Sequence, residues 1–352
     1  MLALSRHLPR LAARIPWLPL GEWPTPLTRV VVDGAPVWIK DEGASSARYG
    51  GNKVRTLEIW LGLAHERGAR RIWSIGAYGS NHAIATVIHA QTAGLEGGAV
   101  VFPQPPSEWA FENCRALVAT SCPIVRLRSV VEVPFAAVVL GARDRRSIVM
   151  PPGGATTLGA FGAVSAAFEL AEQIESGCAP PPRRIVLAIG STCTTAGLLA
   201  GFALAHAAGV WRWPAPIIHG VRVTPWPVTS RLRIADYALR TLARAERLGG
   251  PRVGIALDEL YARLVVDGRE LGAGYGRITE RGTAAMSALD RAPRLDGVYS
   301  AKAAAALLRL HRAGFGPLVF WSSKSAALLP PPSLDALRAA PLAIRRWLQT
   351  SV

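Results

Sequence analysis

The chain has 352 residues, half of them hydrophobic, which is enough to bury a large core and by length alone reads as two domains. Its formal charge of +16 raises nucleic-acid binding, but the basic residues are scattered, as in "ERGARR" and "AIRRWLQT". With no dense run carrying interleaved aromatics and no zinc-finger or RNA-recognition signature, a solvated arginine-rich surface accounts for the charge.

The opening residues, "MLALSRHLPRLAARIP", are too broken by proline for a secretory signal, although an arginine-rich, acid-poor targeting pattern is faintly present. The first helical pattern covers residues 54–68, where Val54, Leu57, Trp60, Leu61 and Ala64 share a face and Gly68 stops the helix. Strand 71–76 (RIWSIG) then leads into helix 81–94, and strand 98–103 (GAVVFP) into helix 108–121. Strand runs at 123–128 and 146–151 precede a long helix at 157–177. The stretch "GCAPPPRR", 177–184, reads as a linker near mid-chain. Strand 184–190 (RIVLAIG), helix 194–209, strand 216–223, helix 228–250, strand 317–321 and a last helix at 333–349 complete the pattern. Apolar strands alternating with helices predict an α/β architecture of parallel sheets covered on both faces. No apolar run reaches the roughly 18 residues of a membrane helix. Cys114, Cys122, Cys178 and Cys193 form no CxxC pair and no ligand spacing, so neither a metal site nor a disulfide framework is expected, and reduced cytoplasmic thiols are.

Arginine carries nearly all the positive charge; the only lysines are Lys40, Lys53, Lys302 and Lys324. A guanidinium keeps its proton at any usable pH, whereas an amine can lose it and condense with an aldehyde. Lys53 follows Gly-Gly-Asn and opens the first helix, where the positive end of the dipole disfavours an ammonium and lowers its pKa. Lys40, beside Asp41 and Glu42, reads as an ion-paired surface residue. Lys302 is expected to face solvent. Lys324 reads as solvated, with a second cationic contact in a pocket as the alternative.

Glycine-rich loops between a strand and a helix lie where open α/β sheets bind ligands. "GSTCTTAG", Gly190–Gly197, lacks the endings of a nucleotide P-loop or dinucleotide fingerprint, leaving a phosphate cup or an ordinary helix cap. In "GAYGSNHA", Ser80, Asn81 and His82 either grip a carboxylate or merely begin a helix. A lysine amine, a phosphate cup and a carboxylate grip together point to pyridoxal 5′-phosphate acting on an amino acid.

These residues carry a resemblance. "GGNKVRTLE", "PLGEWPTPL", "SIGAYGSNH", "PPGGATTLGAFG", "GSTCTTAG", "TPWPVTSRLRIADYALRTL", "GAGYG" and "LDGVYSAKA" occur in the order found in fold-type II pyridoxal-phosphate enzymes. The chain resembles the branch containing 1-aminocyclopropane-1-carboxylate (ACC) deaminase and D-cysteine desulfhydrase. The resemblance implies a tryptophan synthase β-like fold with a large cofactor-binding domain, 1–55 and 161–352, and a small inserted one, 56–160. It also implies a cytoplasmic homodimer acting on a small amino acid, with neither nucleic acid nor membrane as partner. By the same resemblance Lys53 bonds the cofactor aldehyde and shuttles the α-proton, and Asn52 and Asn81 lie by the cofactor. Ser80, Asn81 and His82 meet the substrate. Gly190, Ser191, Thr192, Cys193, Thr194 and Thr195 cradle the phosphate, and Tyr275 and Tyr299 touch substrate or leaving group.

Ser300 decides between the two activities. ACC deaminases carry a glutamate after this tyrosine, which keeps the pyridine nitrogen protonated; the desulfhydrases carry a hydroxyl residue, to which Ser300 is similar. The resemblance therefore implies α,β-elimination, with ACC deaminase or a non-catalytic ligand-binding homologue as the alternatives. Two features depart from the family pattern. Thr192 and Cys193 replace glycines of the phosphate loop, and "FWSSKSAALL", 320–329, stands where an HTGG-like stretch is usual.

Overall fold

A computed structural model describes residues 2–289 and 293–351. Its strands, in chain order, are β1 (Leu27–Val32), β2 (Ala35–Asp41), β3 (Arg71–Ala77), β4 (Glu96–Phe102), β5 (Ile124–Arg126), β6 (Ser147–Val149), β7 (Arg184–Ile189), β8 (Ile217–Arg222), β9 (Leu264–Asp267) and β10 (Leu318–Ser322). They form two sheets, ordered β1-β2-β10-β7-β8-β9 and β5-β4-β3-β6. All neighbouring strands are parallel except β1 and β2. The continuous apolar runs become central strands: Ile72, Ile75, Ile185, Val186 and Ile189 are buried, and helices cover both faces as the pattern predicts.

The hairpin β1–β2 was legible but lies outside the predicted strands. Asp33 and Gly34 both take positive φ, 49° and 78°, in the two-residue Asp-Gly turn that matches strand twist. The stretch 177–184 is no divider. It joins helix Phe161–Glu175 to β7, and Phe168, Leu170, Ile185 and Leu187 share one core. The expected last helix is broken by Pro341 into Leu334–Ala339 and Leu342–Leu348. Its end returns to the smaller sheet's layer, where Trp347 meets Tyr78 and Phe111 edge-on at centroid distances of 5.2 and 4.9 Å. Among the described residues no helix is long and apolar enough to cross a membrane.

Helix Cys193–Ala207 is buried along nearly its whole length and packs unusually close to helix Phe161–Glu175. A Cβ on Gly197 would fall 2.6 Å from both the Ala160 carbonyl oxygen and the Ala163 methyl. That close approach fixes the N-terminus of helix Cys193–Ala207, and with it the loop after β7. The loops after β2, β3, β7, β9 and β10 all leave the carboxyl ends of their strands, and all five converge.

Candidate active site

Lys53 is the first residue of helix Lys53–Glu66, and its Nζ lies 3.5 Å from Ser191 Oγ in the loop after β7. Enclosure by protein lowers the pKa of this amine, an effect opposed by nearby Cys193, and the helix dipole acts in the lowering direction. The loop after β6 closes over the pair. Gly153 has φ 69°, and a Cβ there would fall 2.2 Å from Ser191 Oγ and 3.7 Å from Lys53 Nζ. Only glycine fits this position, for both reasons. The consecutive glycines of "PPGG" were the available signal.

The loop Gly190–Thr195 ends in the helix start at Cys193, where the first backbone N–H groups have no intrahelical partner, the arrangement that suits an anion. Thr192 occupies the left-handed region at φ 71°, where the usual pattern has glycine, so the backbone keeps a glycine-like path at a cost of about 1–2 kcal/mol. Cys193 turns its thiol away from the cup: Sγ lies 3.9 Å from Thr56 Oγ1 and accepts from Tyr237 Oη at 3.4 Å. Asn52 donates to Thr194 Oγ1 at 2.9 Å, tying the lysine's helix to the cup. Thr195 is buried beside it. Thr224, after β8, donates to the Gly190 carbonyl at 3.0 Å and braces the loop from behind.

Opposite Gly190 stands Tyr299, whose ring would lie 3.3 Å from a Cβ at that glycine. Its hydroxyl is 2.7 Å from that of Tyr275, with the rings edge-to-face. Burial, the dominant cause, raises both phenol pKa values, so both keep their protons and can donate. Ser300 opens the following helix, Ser300–Arg312. Its hydroxyl accepts from the Asp296 N–H at 2.6 Å and donates to the buried Asp296 carboxylate at 3.0 Å. A hydroxyl has one proton, so service to a ring nitrogen requires Ser300 to turn that proton away from Asp296.

Ser80 caps helix Asn81–Thr92, accepting from the Ala83 N–H at 3.3 Å. Asn81 Oδ1 accepts from Tyr49 Oη and Asn113 Nδ2, both at 2.9 Å. Neither Tyr49 nor Asn113 was foreseen. Asn113 left a trace in the sequence, a polar side chain on the buried face of its helix between Ala110 and Leu117. His82 is 4 % exposed, and neither ring nitrogen has a hydrogen-bond partner among the described residues. Burial, reinforced by the charge of Lys53, pushes its pKa down to about 3 from 6.5, so the imidazole is neutral. The unfolded chain therefore binds a proton that the folded chain refuses, and this group's contribution falls as pH drops below about 6.5 and continues to fall towards 3. Between pH 7 and 5 it amounts to about 2 kcal/mol. A His82→Gln variant should lose that much less stability over the same interval, measured by urea unfolding midpoints at both pH values.

The three other lysines are all buried, against the solvent-exposed positions read for them from the sequence. Lys40 is not a surface residue: it is fully buried and bonds Glu169, Gln173 and the Thr25 carbonyl. Lys302 does not face solvent. Its buried chain donates to the carbonyls of Leu271 (2.8 Å) and Gly274 (3.3 Å), holding the loop that carries Tyr275. Lys324, 1 % exposed, is not solvated but donates to Asn113 Oδ1 at 3.1 Å. In each case the carbonyl or carboxylate that repays desolvation comes from a distant part of the chain.

A desolvated amine, an anion cup and small residues where a cofactor would press form the donor set that pyridoxal phosphate needs. The pyridoxal-phosphate dependent enzyme family model matches residues 18–317. The chain belongs to this family. Within it, the chain is 30 % identical to the D-cysteine desulfhydrase of Serratia proteamaculans (strain 568), over 86 % of this chain and 90 % of that enzyme. It is 36 % identical to the nocardicin C-9′ epimerase of Nocardia uniformis subsp. tsuyamanensis, over 54 % of this chain and 60 % of the epimerase. A solved ACC deaminase homologue superposes with TM-score 0.71 at 26 % identity, covering 90 % of this chain and 94 % of its own. This is thus a fold-type II pyridoxal-phosphate enzyme of the ACC deaminase/D-cysteine desulfhydrase type.

Proposed function

We propose that the chain catalyses α,β-elimination from a small β-substituted amino acid of the D-cysteine kind, giving a 2-oxo acid and ammonia, with sulfide where the substrate is cysteine. The observation that carries this reading is a proton acceptor and a proton donor meeting at one loop. The desolvated Lys53 amine stands by Ser191, and the bonded phenols of Tyr275 and Tyr299 stand by Gly190. Pyridoxal phosphate, when bound, supplies the electron sink that lets Cα shed its proton. In this reading Lys53 Nζ takes that proton and the Tyr275–Tyr299 pair returns one to the departing β-group. Ser80 and Asn81 hold the carboxylate, and the Gly190–Thr195 loop holds the phosphate. The hydroxyl at Ser300, where an ACC deaminase has glutamate, supports elimination over ring opening. A cytoplasmic homodimer belongs to the same reading.

The test is a panel of D- and L-cysteine, D- and L-serine and ACC with purified protein. Sulfide and pyruvate should appear from D-cysteine and no ammonia from ACC; ammonia from ACC without sulfide from D-cysteine reverses the assignment. The identity with the epimerase favours a second reading, inversion at Cα. That reading predicts deuterium uptake at Cα with change of configuration and no 2-oxo acid.

A further inference from the structure

Lys324 sits just beyond β10, inside the stretch where the chain departs from its family's pattern. Besides its bond to Asn113 Oδ1, its Nζ reaches Asn81 Oδ1 at 3.5 Å, and Glu112 Oε1 lies 4.0 Å away. Glu112 is itself paired with Arg294 at 2.9 Å, so Lys324 does not monopolise it. The Asn81 carbonyl oxygen therefore receives three donors, from Tyr49, Asn113 and Lys324. An amide is planar, with oxygen and NH2 on opposite edges. Once the oxygen is held from behind, the NH2 must face the other way. Tyr49, Asn113 and Lys324 are 2, 3 and 1 % exposed, whereas Asn81 is partly exposed to the cleft. We propose that Lys324 is a positioning residue that, with Tyr49 and Asn113, locks the Asn81 amide so that its NH2 is presented to an anionic oxygen in the cleft. This rests on the reading of that cleft as an amino-acid and cofactor site. The oxygen belongs either to the substrate's carboxylate or to the cofactor's ring, and the same chemistry serves both.

The chain's only asparagines are Asn52, Asn81 and Asn113, so asparagine labelled with nitrogen-15 gives a side-chain amide spectrum of three residues. In cofactor-free protein, Lys324→Met should move the Asn81 and Asn113 signals, assigned by their loss in Asn81→Ala and Asn113→Ala, and leave Asn52 in place. This readout needs no turnover, so it can fail while the elimination reading stands, and the reverse. Titrations with pyridoxal phosphate, and with glycine as an unreactive amino acid followed through the bound cofactor's absorbance, then separate the two sources of the oxygen. Lys324→Met should weaken one or both about tenfold, equivalent to the loss of one buried hydrogen bond. In Asn81→Ala the same substitution should add less than twofold, because Lys324 acts through Asn81. Tyr49→Phe removes one donor without changing packing; it should shift the Asn81 signal in the same direction and guards against a Met variant that folds poorly. An unmoved Asn81 signal in both variants, or losses that multiply in the double variant, overturns the proposal.

Discussion

Replacing Lys53 with alanine should lower turnover by about 10³-fold, the scale of losing a positioned proton-transfer group, while the protein stays folded. The fold has little need of this side chain. Among the described residues the Lys53 amine makes one long hydrogen bond, to Ser191, whereas the same helix is held by Leu57, Leu61 and Ala64 in the core and by Arg55. Lys53→Arg should be as inactive as alanine. Its charge is kept, but a guanidinium cannot give up its proton or bond an aldehyde. The visible band of the bound cofactor should vanish in both variants, with the near-ultraviolet circular dichroism of the wild type retained. Borohydride reduction of cofactor-saturated wild type should leave the label on the peptide containing Lys53. With only three other lysines in the chain, label on any of their peptides would assign the attachment elsewhere and remove the basis of the mechanism.

Lys53 was legible because its signal is local: a lysine in an arginine-rich chain, after two glycines, at a helix start. Ser80 as a helix cap and the strand–turn–helix at Gly190 were legible for the same reason, since strand, small-residue turn and helix follow one another directly. The β1–β2 hairpin is equally local, with Asp33-Gly34 at its turn, but its strands are largely part-exposed and carry Thr28, Arg29 and Lys40, so they lack the continuous apolar run that marks the central strands. The fates of the other lysines were not legible. Lys40 is repaid by Glu169, 129 residues away, Lys302 by Leu271, 31 away, and Lys324 by Asn113, 211 away. Whether a charge is solvated depends on what the fold brings beside it, and the flanking Asp41 and Glu42 made Lys40 look like a surface pair. Glu42 does pair, but with Arg55, at 2.6 Å. The amide clamp behind Asn81 is hidden for the same reason, as its members come from four separate segments.

The buried network that captured Lys40 should make Glu169 the costliest charged side chain to neutralise. Lys40, Glu42, Arg55 and Glu169 are 0, 0, 2 and 2 % exposed and balance to zero charge. Glu169 accepts from Lys40, from Arg55 Nη2 at 2.9 Å, and from the Thr25 N–H at 3.0 Å. Burial by itself would raise its pKa; Arg55 and Lys40 outweigh this and hold it at about 2. A carboxylate depressed in this way contributes stability above its unfolded value of 4.5, and the contribution disappears as pH falls from there through about 2. Glu169→Gln leaves Lys40 and Arg55 enclosed with one carboxylate between them, and should cost about 3–5 kcal/mol in urea unfolding at pH 7, with the slope of the transition unchanged. Lys40→Met combined with Glu169→Gln removes a matched pair of charges and leaves Arg55 with Glu42. The double variant should therefore be more stable than Glu169→Gln alone, an outcome that a simple loss of packing cannot produce. If the two substitutions instead add, the four side chains are separate contacts and not a charge-balanced unit. The consequence reaches the active site, because Arg55 is two residues from Lys53 in the first turn of the same helix. The unit that neutralises Arg55 anchors the first turn of the helix that Lys53 opens, so Glu169→Gln should weaken cofactor retention at temperatures where the protein is still folded.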